Sequence, residues 1–579
     1  MPVPGASFAD AKGPDRRRPT RIDASLVFCR STMKAMHVLS AAEMQACDRA
    51  TTERFGIPSI ELMRAASSAV AAFARSQFPQ ARRVTVLCGR GNNGGDGMMA
   101  ARLLAVDGMQ VATLLLGKPE QLAGDAAVAW RELQAQAKAK TAVIDSAADL
   151  ERHSDALDTD LLVDAVLGTG FKPPMKGLAL AALEWSRRSP APILAVDLPS
   201  GWPADQTNTA PAGPVFDADA VITFTAAKPA HVFSQLTRRW DQPIVVAPIG
   251  SPDAAIVSSL GIDWAGSSLA AFQTPRPAAA NKGNFGHVLV VGGTFGASGG
   301  KAGAPAMTAL AVLRSGAGLV TAAVPAPALP IVASFAPELM TWPLAATAKG
   351  EIAANNLLPK SLAALIAGKT VLAIGPGIGQ SSDTAKFTTG LLSTTEVPAV
   401  IDADALNLLS AKPAILAALA HKGQRTLVLT PHPGEMSRLA GMTVAEVQGN
   451  RLETARSFAQ RMGVTLVLKG ARTLIAHPDG RVAVNTSGNP GMAKGGSGDV
   501  LTGIIAALLA QYPREIPCAV EAAVYLHGLA ADLAVREGDE HTFLATDCLH
   551  HLAQAFQSRQ HAFHSAGKKD YVWLQGHRM

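Results

Sequence analysis

The sequence has little charge, few aromatic residues and few cysteines. Charged residues make up 17% of the 579 positions and aromatic residues 5%, and the formal net charge is only +6. So low a charge density excludes a disordered or supercharged chain. The small net charge also disfavours nucleic-acid binding, which requires a basic face. Hydrophobic residues are abundant, at 48%, and the many alanines among them favour an α/β protein with alanine-rich helices.

The five cysteines are scattered and form no CxxC pair. This spacing argues against a disulfide framework and a zinc site and favours a reducing compartment, so we expect a cytoplasmic protein. Long apolar runs are also missing: a run such as residues 501–510 is shorter than the ~20 residues that span a bilayer, and we expect no membrane partner. Residues 1–35 lack the apolar stretch of a secretory signal, and we interpret them as a disordered extension.

Short apolar segments alternate with helical patterns through most of the chain. "SAAEMQACDRATTE" begins with a capping box, and "RVTVLC" is a buried-strand pattern that runs into a glycine-rich loop. Such alternation predicts parallel, doubly wound sheets. An irregular stretch rich in proline and glycine interrupts it. We therefore predict an N-terminal domain (36–250), a linker (251–276), a C-terminal domain (277–557) and a polar, histidine-rich tail (558–579).

Three polar loops follow predicted strands of the N-terminal domain. They read "GRGNNGGDG" (89–97), "VDAVLGTGFKPP" (163–174) and "VDLPSGWPAD" (196–205). The carboxyl ends of parallel strands face the ligand crevice, so these amides and acids are expected to form one site. Asn, Asp and Gly are also ordinary turn formers, and the first loop is not the GxGxxG motif with a following acidic ribose ligand, which disfavours standard dinucleotide binding.

The segments "NNGGDG", "VDAVLGTGF" and "VDLPSG" together resemble the N-terminal module of the YjeF family, the NAD(P)H-hydrate epimerases. The resemblance implies a Rossmann-like three-layer domain in which Asn93, Asp164 and Ser200 hold a potassium ion; hard oxygen donors suit an alkali cation. It also implies that Asp197 is the acid–base group, with a pKa that we expect desolvation to raise. The implied substrate-binding residues are Asn92, Asn93, Gly94, Gly95, Asp96, Gly168, Thr169, Gly170, Phe171, Lys172, Pro173, Pro174 and Asp197.

The second half resembles the C-terminal module of the same family, the NAD(P)H-hydrate dehydratases, which have a ribokinase-like α/β fold. The motifs that carry this resemblance are "GNFGHVLVVGG", "VLRSGAGLVT", "GPGIG", "DADALN", "TPHPGEM", "VLKGARTLI" and "GNPGMAKGGSGDVLTG". The last motif also occurs in sugar and vitamin kinases, but "TPHPGEM" places His432 where sugar kinases usually carry Asn. Lys301 stands where we expect small or hydroxyl residues in the family. The resemblance covers about residues 36–557.

The glycine-rich loop suits phosphoryl transfer. Main-chain N–H groups of residues 494–498 and the positive end of the following helix would stabilise the transferring phosphoryl group, and Asp499 would accept the proton of the attacking hydroxyl. The resemblance implies ADP or ATP, with magnesium, as the phosphoryl donor. The implied nucleotide contacts are Lys469, Gly470, Ala471, Arg472, Thr473 and Gly498. The implied contacts to the hydrate are Ala302, Gly377, Gly379, His432 and Asp499, with Asp402 and Asn407 lining the crevice.

We therefore predict a bifunctional repair enzyme that epimerises the R and S hydrates NADHX and NADPHX and dehydrates the S form, and we expect a homo-oligomer. Two alternatives stay open. The protein could be a small-molecule or vitamin kinase with an accessory N-terminal domain, or its N-terminal domain could be a non-catalytic binding module. The presence of Asn93, Asp164 and Ser200 argues against the binding module, because a domain without the site has no need of ion ligands.

Overall fold

The computed structural model describes residues 36–136, 138–272, 275–297, 299–421, 425–561 and 571–576. The predicted extension, residues 1–35, lies outside the described residues. The strands are β1 (Arg83–Cys88), β2 (Gln110–Leu116), β3 (Ala139–Ile144), β4 (Leu161–Ala165), β5 (Ile193–Val196), β6 (Ala220–Phe224), β7 (Ile244–Ala247), β8 (Ile262–Trp264), β9 (His287–Val291), β10 (Phe295–Gly296), β11 (Gly299–Gly300), β12 (Leu319–Pro325), β13 (Met340–Leu344), β14 (Val371–Ile374), β15 (Ala399–Ile401), β16 (Leu427–Leu429), β17 (Thr465–Leu468), β18 (Leu474–Ala476), β19 (Val482–Val484) and β20 (Val572–Gln575). The α-helices are α1 (Ala41–Glu53), α2 (Ser59–Gln77), α3 (Asn92–Val106), α4 (Gly124–Gln134), α5 (Ala147–Arg152), α6 (Leu178–Ser186), α7 (Pro229–Phe233), α8 (Gly303–Arg314), α9 (Leu329–Ala333), α10 (Pro359–Ile366), α11 (Ser382–Thr394), α12 (Ala403–Ser410), α13 (Pro413–His421), α14 (Pro433–Ala440), α15 (Val444–Gly449), α16 (Arg451–Met462), α17 (Ser497–Gln511), α18 (Ile516–Glu537) and α19 (Ala545–His561).

The first sheet has the strand order β20-β7-β6-β5-β4-β1-β2-β3. Strands β1 to β7 are parallel to one another, and β4 to β7 are buried along their whole length, as expected of a sheet covered on both faces. The chain places β2 and β3 on one side of β1 and then returns to place β4 on the other. Ligands bind at such a reversal, beyond the carboxyl ends of the strands.

The second sheet has the order β13-β12-β9-β14-β15-β16-β17-β18-β19-β8. Its strands are parallel from β13 to β17, and β18 and β19 form an antiparallel extension. Here the reversal lies between β9 and β14. The apolar helix α17, which carries the glycine-rich motif at its start, is almost entirely buried and packs against α8 and α18. Both domains are α/β, as predicted.

The segment predicted to be an irregular linker, residues 251–276, is largely structured. Strand β8 pairs in parallel with β19 at the edge of the second sheet, and 3₁₀ turns flank it. Trp264, Leu269 and Phe272 are buried in the core that surrounds them. The proline and glycine content suggested a linker, but the apolar side chains of "DWAGSSLAAF" are sufficient to anchor the segment in the second domain.

The predicted polar tail also contributes a strand. Strand β20 pairs antiparallel with β7, at the edge of the first sheet. Tyr571 and Trp573 pack edge-on against Phe73 of α2, with ring centroids 5.4 Å and 6.1 Å from its ring. Part of the predicted polar tail therefore packs on the first domain, since the three aromatic rings bury apolar surface together.

Helix α18 is long and apolar enough to cross a bilayer by length and composition alone. In its most apolar window, however, 83% of the residues are buried inside the protein. It packs against α19 and α17, so it forms part of the core of the second domain.

Candidate active sites

The first crevice lies where β1, β4 and β5 end. Helix α3 begins at Asn92 shortly after β1, Asp164 lies within β4, and Asp197 directly follows β5. These segments are close together: a Cβ atom built on Gly168 would lie 3.1 Å from Cβ of Asn93 and 3.1 Å from Oδ2 of Asp197. The three polar loops of the first domain therefore meet at the predicted edge of the sheet.

Each of the three predicted potassium ligands has a side-chain oxygen that can bind a metal ion. Ser200 donates to Asp164 twice, from Oγ to Oδ1 at 2.6 Å and from its main-chain N–H to Oδ2 at 2.7 Å. The carboxamide of Asn93 is buried, and neither its oxygen nor its nitrogen has a hydrogen-bond partner among the described residues. Because an unpaired buried polar group is costly, an ion bound by the carboxamide oxygen would compensate part of that cost. The residues fit a potassium ion.

Asp197 lies against a buried lysine that was not among the predicted site residues. The ammonium of Lys228, with its side chain only 2% exposed, is 2.9 Å from Oδ1 of Asp197 and 2.7 Å from Oγ1 of Thr223. Thr169 donates to Oδ2 through both its main-chain N–H, at 2.8 Å, and its hydroxyl. Nε2 of His231 is 2.7 Å from the main-chain oxygen of Asp197. The carboxylate is thus surrounded by hydrogen-bond donors.

The pKa of Asp197 is lowered, so the sequence-based expectation of a raised pKa was wrong. Burial does act to raise it, but the positive charge of Lys228 and the hydrogen bonds to the carboxylate outweigh burial. Burial and the same lysine lower the pKa of His231 to about 4. At neutral pH Asp197 is therefore an ionised acceptor beside a neutral histidine.

The pKa of a second carboxyl group in this crevice, that of Asp96, is shifted in the opposite direction. Burial raises the pKa of Asp96 well above its usual value, and the negative charges of Asp197 and Asp48 raise it further, against the opposing effect of Lys228. Two carboxyls in one site with pKa values displaced in opposite directions form a natural acid–base pair. Asp96 is the member with the raised pKa and Asp197 the member with the lowered pKa.

The second crevice is built at the ends of β15, β16 and β17. Asp402 occupies the N-cap of α12, but its carboxylate does not cap the helix as an N-cap aspartate usually does. Instead, Oδ1 accepts from the ammonium of Lys469 at 2.8 Å and Oδ2 accepts from the hydroxyl of Thr502 at 2.8 Å. A Cβ atom on Gly498 would lie 3.2 Å from Nζ of Lys469. The start of α17 therefore faces this ion pair.

Asp499 lies in the first turn of α17. The chain enters the helix through Gly496 at φ +97°, a left-handed conformation that glycine adopts without strain. The first N–H groups of the helix have no intrahelical acceptor and carry partial positive charge. Burial and the charge of Asp402 raise the pKa of Asp499 to about 7, although Lys469 and Lys301 act to lower it. Asp499 is therefore suited to exchange a proton near neutral pH.

Lys301 reaches the same crevice from the loop before α8. Its Nζ is 3.2 Å from Oδ2 of Asp404, and its side chain is 62% exposed. Asp404 also accepts from the main-chain N–H of Gly379 at 3.1 Å and from Nε2 of Gln380 at 2.8 Å. A Cβ atom on Gly377 would lie 2.7 Å from Cβ of Lys301. The two glycines predicted to contact substrate thus lie beside a solvent-accessible ammonium group.

His432 forms the N-cap of α14. Its ring Nδ1 accepts from the main-chain N–H of Gly434 at 3.0 Å, and the main-chain N–H of His432 donates to Oε2 of Glu435 at 2.8 Å. Glu435 in turn lies 4.0 Å from the ammonium of Lys469. The half-exposed imidazole therefore borders the Asp402–Lys469 pair, where the sequence predicted a contact to the hydrate.

Two side chains of the predicted nucleotide loop, residues 469–473, point in opposite directions. Lys469 faces the crevice, whereas Arg472, at φ +56°, points its side chain the other way. The Arg472 guanidinium donates to the carbonyls of Thr486 and Ser234, each at 3.1 Å, and to Oε1 of Gln575 at 2.6 Å. This corrects the placement of Arg472: its side chain is occupied elsewhere, and only its main chain remains for a nucleotide.

The remaining predicted residues lie on the same elements without contacts that assign them a role. Gly94 and Gly95 are in the first turns of α3; Gly170, Phe171, Lys172, Pro173 and Pro174 follow β4; Ala302 precedes α8; Gly470, Ala471 and Thr473 follow β17. Asn407 differs from these, since its Oδ1 accepts from Nε of Arg438 at 2.8 Å. Its side chain therefore joins α12 to α14.

Comparison with known proteins agrees with this two-site arrangement. The model of the YjeF-related protein N-terminus matches residues 59–230, and the NAD(P)H-hydrate dehydratase model matches residues 288–554. The bifunctional NAD(P)H-hydrate repair enzyme of Moorella thermoacetica is 41% identical over 530 residues, which cover 89% of this chain and 96% of that protein. The Escherichia coli enzyme of the same name is 35% identical over 525 residues, covering 88% and 91%.

Among solved structures, the ADP/ATP-dependent NAD(P)H-hydrate dehydratase from Bacillus subtilis, co-crystallised with ATP and Mg²⁺, is 31% identical and covers 49% of this chain and 94% of that chain, with a TM-score of 0.41. The curated relatives match across both domains and across nearly their own full length. The chain belongs to the family of bifunctional NAD(P)H-hydrate repair enzymes.

Proposed function

We propose that the N-terminal crevice epimerises NAD(P)H hydrates through Asp197 and Asp96. Epimerisation leaves the composition of the substrate unchanged, so each proton that the protein accepts must be returned. Asp197, whose pKa Lys228 lowers, accepts a proton, and Asp96, whose pKa burial raises, donates one. The loop that contains Gly168 and Thr169 closes against Asp197 and forms a wall for the hydrated nicotinamide ring.

Potassium is the metal that we propose for this domain. Asn93, Asp164 and Ser200 would hold it, and when bound it would supply positive charge beside the substrate's anionic groups. The buried carboxamide of Asn93, which has no hydrogen-bond partner in the part of the chain that the structure describes, supports this assignment.

We propose that the C-terminal crevice dehydrates the S hydrate. Asp499 accepts the proton of the ring hydroxyl as the hydroxyl oxygen attacks the terminal phosphoryl group of ADP or ATP, and AMP or ADP leaves. The carbon–oxygen bond of the phosphorylated hydrate then breaks, phosphate departs, a neighbouring ring carbon loses a proton, and NAD(P)H is restored. The N–H groups at the start of α17 and the ammonium of Lys469 stabilise the charge on the phosphoryl group.

The adenine nucleotide and magnesium are parts of this proposal. Main-chain groups of the loop after β17 lie next to Lys469 and the start of α17, so a nucleotide bound there would direct its phosphates towards Asp499. Magnesium, when bound with the nucleotide, would supply charge neutralisation on the phosphate oxygens. A cytoplasmic location and a homo-oligomer stay predictions.

The observation that carries the dehydratase assignment is Asp499, with a pKa of about 7, at the start of a helix that faces the Lys469–Asp402 pair. The test is to incubate the protein with mixed R and S hydrates and ADP or ATP, and to follow the return of reduced-nicotinamide absorbance. Complete recovery is expected because the first site converts R to S while the second consumes S.

Two variants separate the activities. Asp197→Asn is expected to recover NAD(P)H only until the S hydrate is exhausted, whereas Asp499→Asn is expected to epimerise normally without restoring absorbance. A phosphorylated product that accumulates without elimination would instead indicate a kinase. Complete recovery by Asp197→Asn would contradict the role given to that residue.

A further inference from the structure

The loop of the second domain that we assign to the nucleotide is anchored by the first domain. Within this loop, Arg472 extends away from the crevice into the contact between the domains. Its guanidinium donates to the main-chain oxygen of Ser234, at the end of α7 in the first domain, and to Oε1 of Gln575 in β20. Burial lowers the pKa of Arg472 only to about 10, so it stays charged at neutral pH and its hydrogen bonds are charge-assisted.

Both polar atoms of the Gln575 side chain are hydrogen-bonded. Its side-chain Nε2 donates to Oγ1 of Thr237 at 3.0 Å and to the carbonyl of Gln242 at 2.9 Å, both in the first domain. Its Oε1 accepts from Arg472 at 2.6 Å. The residue is 5% exposed, and a buried amide with all these partners is held in one orientation.

The opposite side of the loop is held from within the second domain. Arg451 donates from Nη1 to the carbonyl of Ala471 at 3.0 Å and from Nη2 to the carbonyls of Leu468, at 3.2 Å, and Lys469, at 3.4 Å. The loop backbone is therefore fixed between two arginines. One of them, Arg472, is held on one side by the carbonyl of Thr486 in the second domain and on the other by Ser234 and Gln575, that is, by the first domain and β20.

We propose that Gln575, acting through Arg472, is a positioning residue for the nucleotide loop of the dehydratase site, so that the first domain and the C-terminal strand set nucleotide affinity in the second domain. The inference rests on the proposed function, because it takes the ligand of this loop to be ADP or ATP. Neither residue touches the reacting atoms. Their effect is on the conformation that the main chain of residues 469–473 presents to the phosphates.

The test measures nucleotide affinity in the full-length protein. Gln575→Leu, which removes the acceptor for Arg472, is expected to raise the KM for ADP and the dissociation constant of ADP by about fivefold. The kcat of dehydration and the rate of epimerisation are expected to stay unchanged. Tyr571→Phe is the matched control: it removes a hydrogen bond from the same segment to the carbonyl of Ala69, at 3.0 Å, without touching the loop.

Arg472→Met tests the same contact from the other side, and it keeps the proposal testable if Gln575→Leu does not fold. The two residues act through one interaction. The double variant is therefore expected to bind ADP no more weakly than whichever single variant has the lower ADP affinity. Unchanged ADP binding in both single variants, or effects that simply multiply, would overturn the proposal. Calorimetry with ADP alone distinguishes this failure from failure of the proposed function, because it requires no turnover of hydrate.

Discussion

At the scale of single residues, the two sites use the same pair of residue types for different purposes. Asp197 and Asp402 are both buried and both accept a hydrogen bond from a lysine ammonium, at 2.9 Å and 2.8 Å. In the first site the paired aspartate itself faces the substrate crevice. In the second site the pair lies beneath another carboxyl, Asp499, whose pKa the charge of Asp402 helps to raise. The same kind of ion pair therefore accompanies a lowered carboxyl pKa in one crevice and a raised carboxyl pKa in the other.

Lys228→Met is expected to abolish most epimerisation. The change leaves the Asp197 carboxylate buried without its cation, and breaking a buried pair from one side costs about 3–5 kcal/mol. The pKa of Asp197 then rises, the ionised form is lost, and the epimerisation rate falls about 100-fold. The measurement is the rate of R-to-S conversion at neutral pH, with dehydration of purified S hydrate as the internal control.

Thr223→Val serves as the matched variant for this prediction. It removes only the hydroxyl that bridges Lys228 and Asp197, so a smaller loss is expected than for Lys228→Met. Normal epimerisation by Lys228→Met would show that the lysine has no part in keeping Asp197 ionised.

Dehydration is expected to depend on pH through Asp499. Because the base must be ionised, kcat/KM for the hydrate should fall as the pH drops below about 7. Burial and the carboxylates of Asp402 and Asp404 raise this pKa, whereas the ammonium groups of Lys469 and Lys301 lower it. Lys301→Met removes one positive charge and should move the midpoint to higher pH.

The control for the pH prediction is Lys301→Arg. It keeps the positive charge near Asp404 and should leave the midpoint of the profile where it is in the unmodified protein. A rate that does not change between about pH 6 and 8 would exclude Asp499 as the group that titrates.

At the scale of elements, the sequence was sufficient to predict the strands that end at the two sites. Strand β5 is a continuous apolar run, and β4 is apolar except for Asp164, because both of their faces are buried. The polar loops that follow them meet at the sheet edge because parallel strands place their carboxyl ends together. Strands β8 and β20 were missed. They are three and four residues long, and their pairing partners lie far away in sequence, so no local pattern marks them.

Individual side chains of the sites were less predictable than the loops that carry them. A lysine after an apolar strand, as at Lys228, has the same sequence signature whether it is buried or exposed to solvent. Thr502 lies inside an apolar helix and shows no signal for its contact with Asp402. The family resemblance implied a nucleotide contact at Arg472, but no sequence pattern showed that its side chain would instead donate to Thr486, Ser234 and Gln575.

At the scale of the whole molecule, each sheet is bordered by a segment that the sequence assigns to the other end of the chain. Near the N-terminus, the N–H of Val38 donates to the carbonyl of Ile262 and the N–H of Trp264 donates to the carbonyl of Met36, so this segment lies along β8 of the second sheet. Near the C-terminus, β20 pairs with β7 of the first sheet. One continuous apolar core also contains residues of both domains, such as Phe233 of the first and Tyr525 of the second. The boundaries at 250 and 557 therefore cut through shared structure.

This arrangement of the chain ends makes a prediction about truncated chains. A protein that ends at residue 570 lacks β20, which exposes the hydrogen-bonding edge of β7 and the ring of Phe73. Loss of these contacts should lower the midpoint of thermal unfolding by about 5 °C or more, and the open strand edge should increase aggregation. A chain that ends at residue 576 keeps the strand and is the control, with calorimetry and light scattering as the measurements. If both chains unfold at the same temperature and remain equally soluble, then β20 contributes nothing to the first domain, and the shared core alone must hold the two domains together.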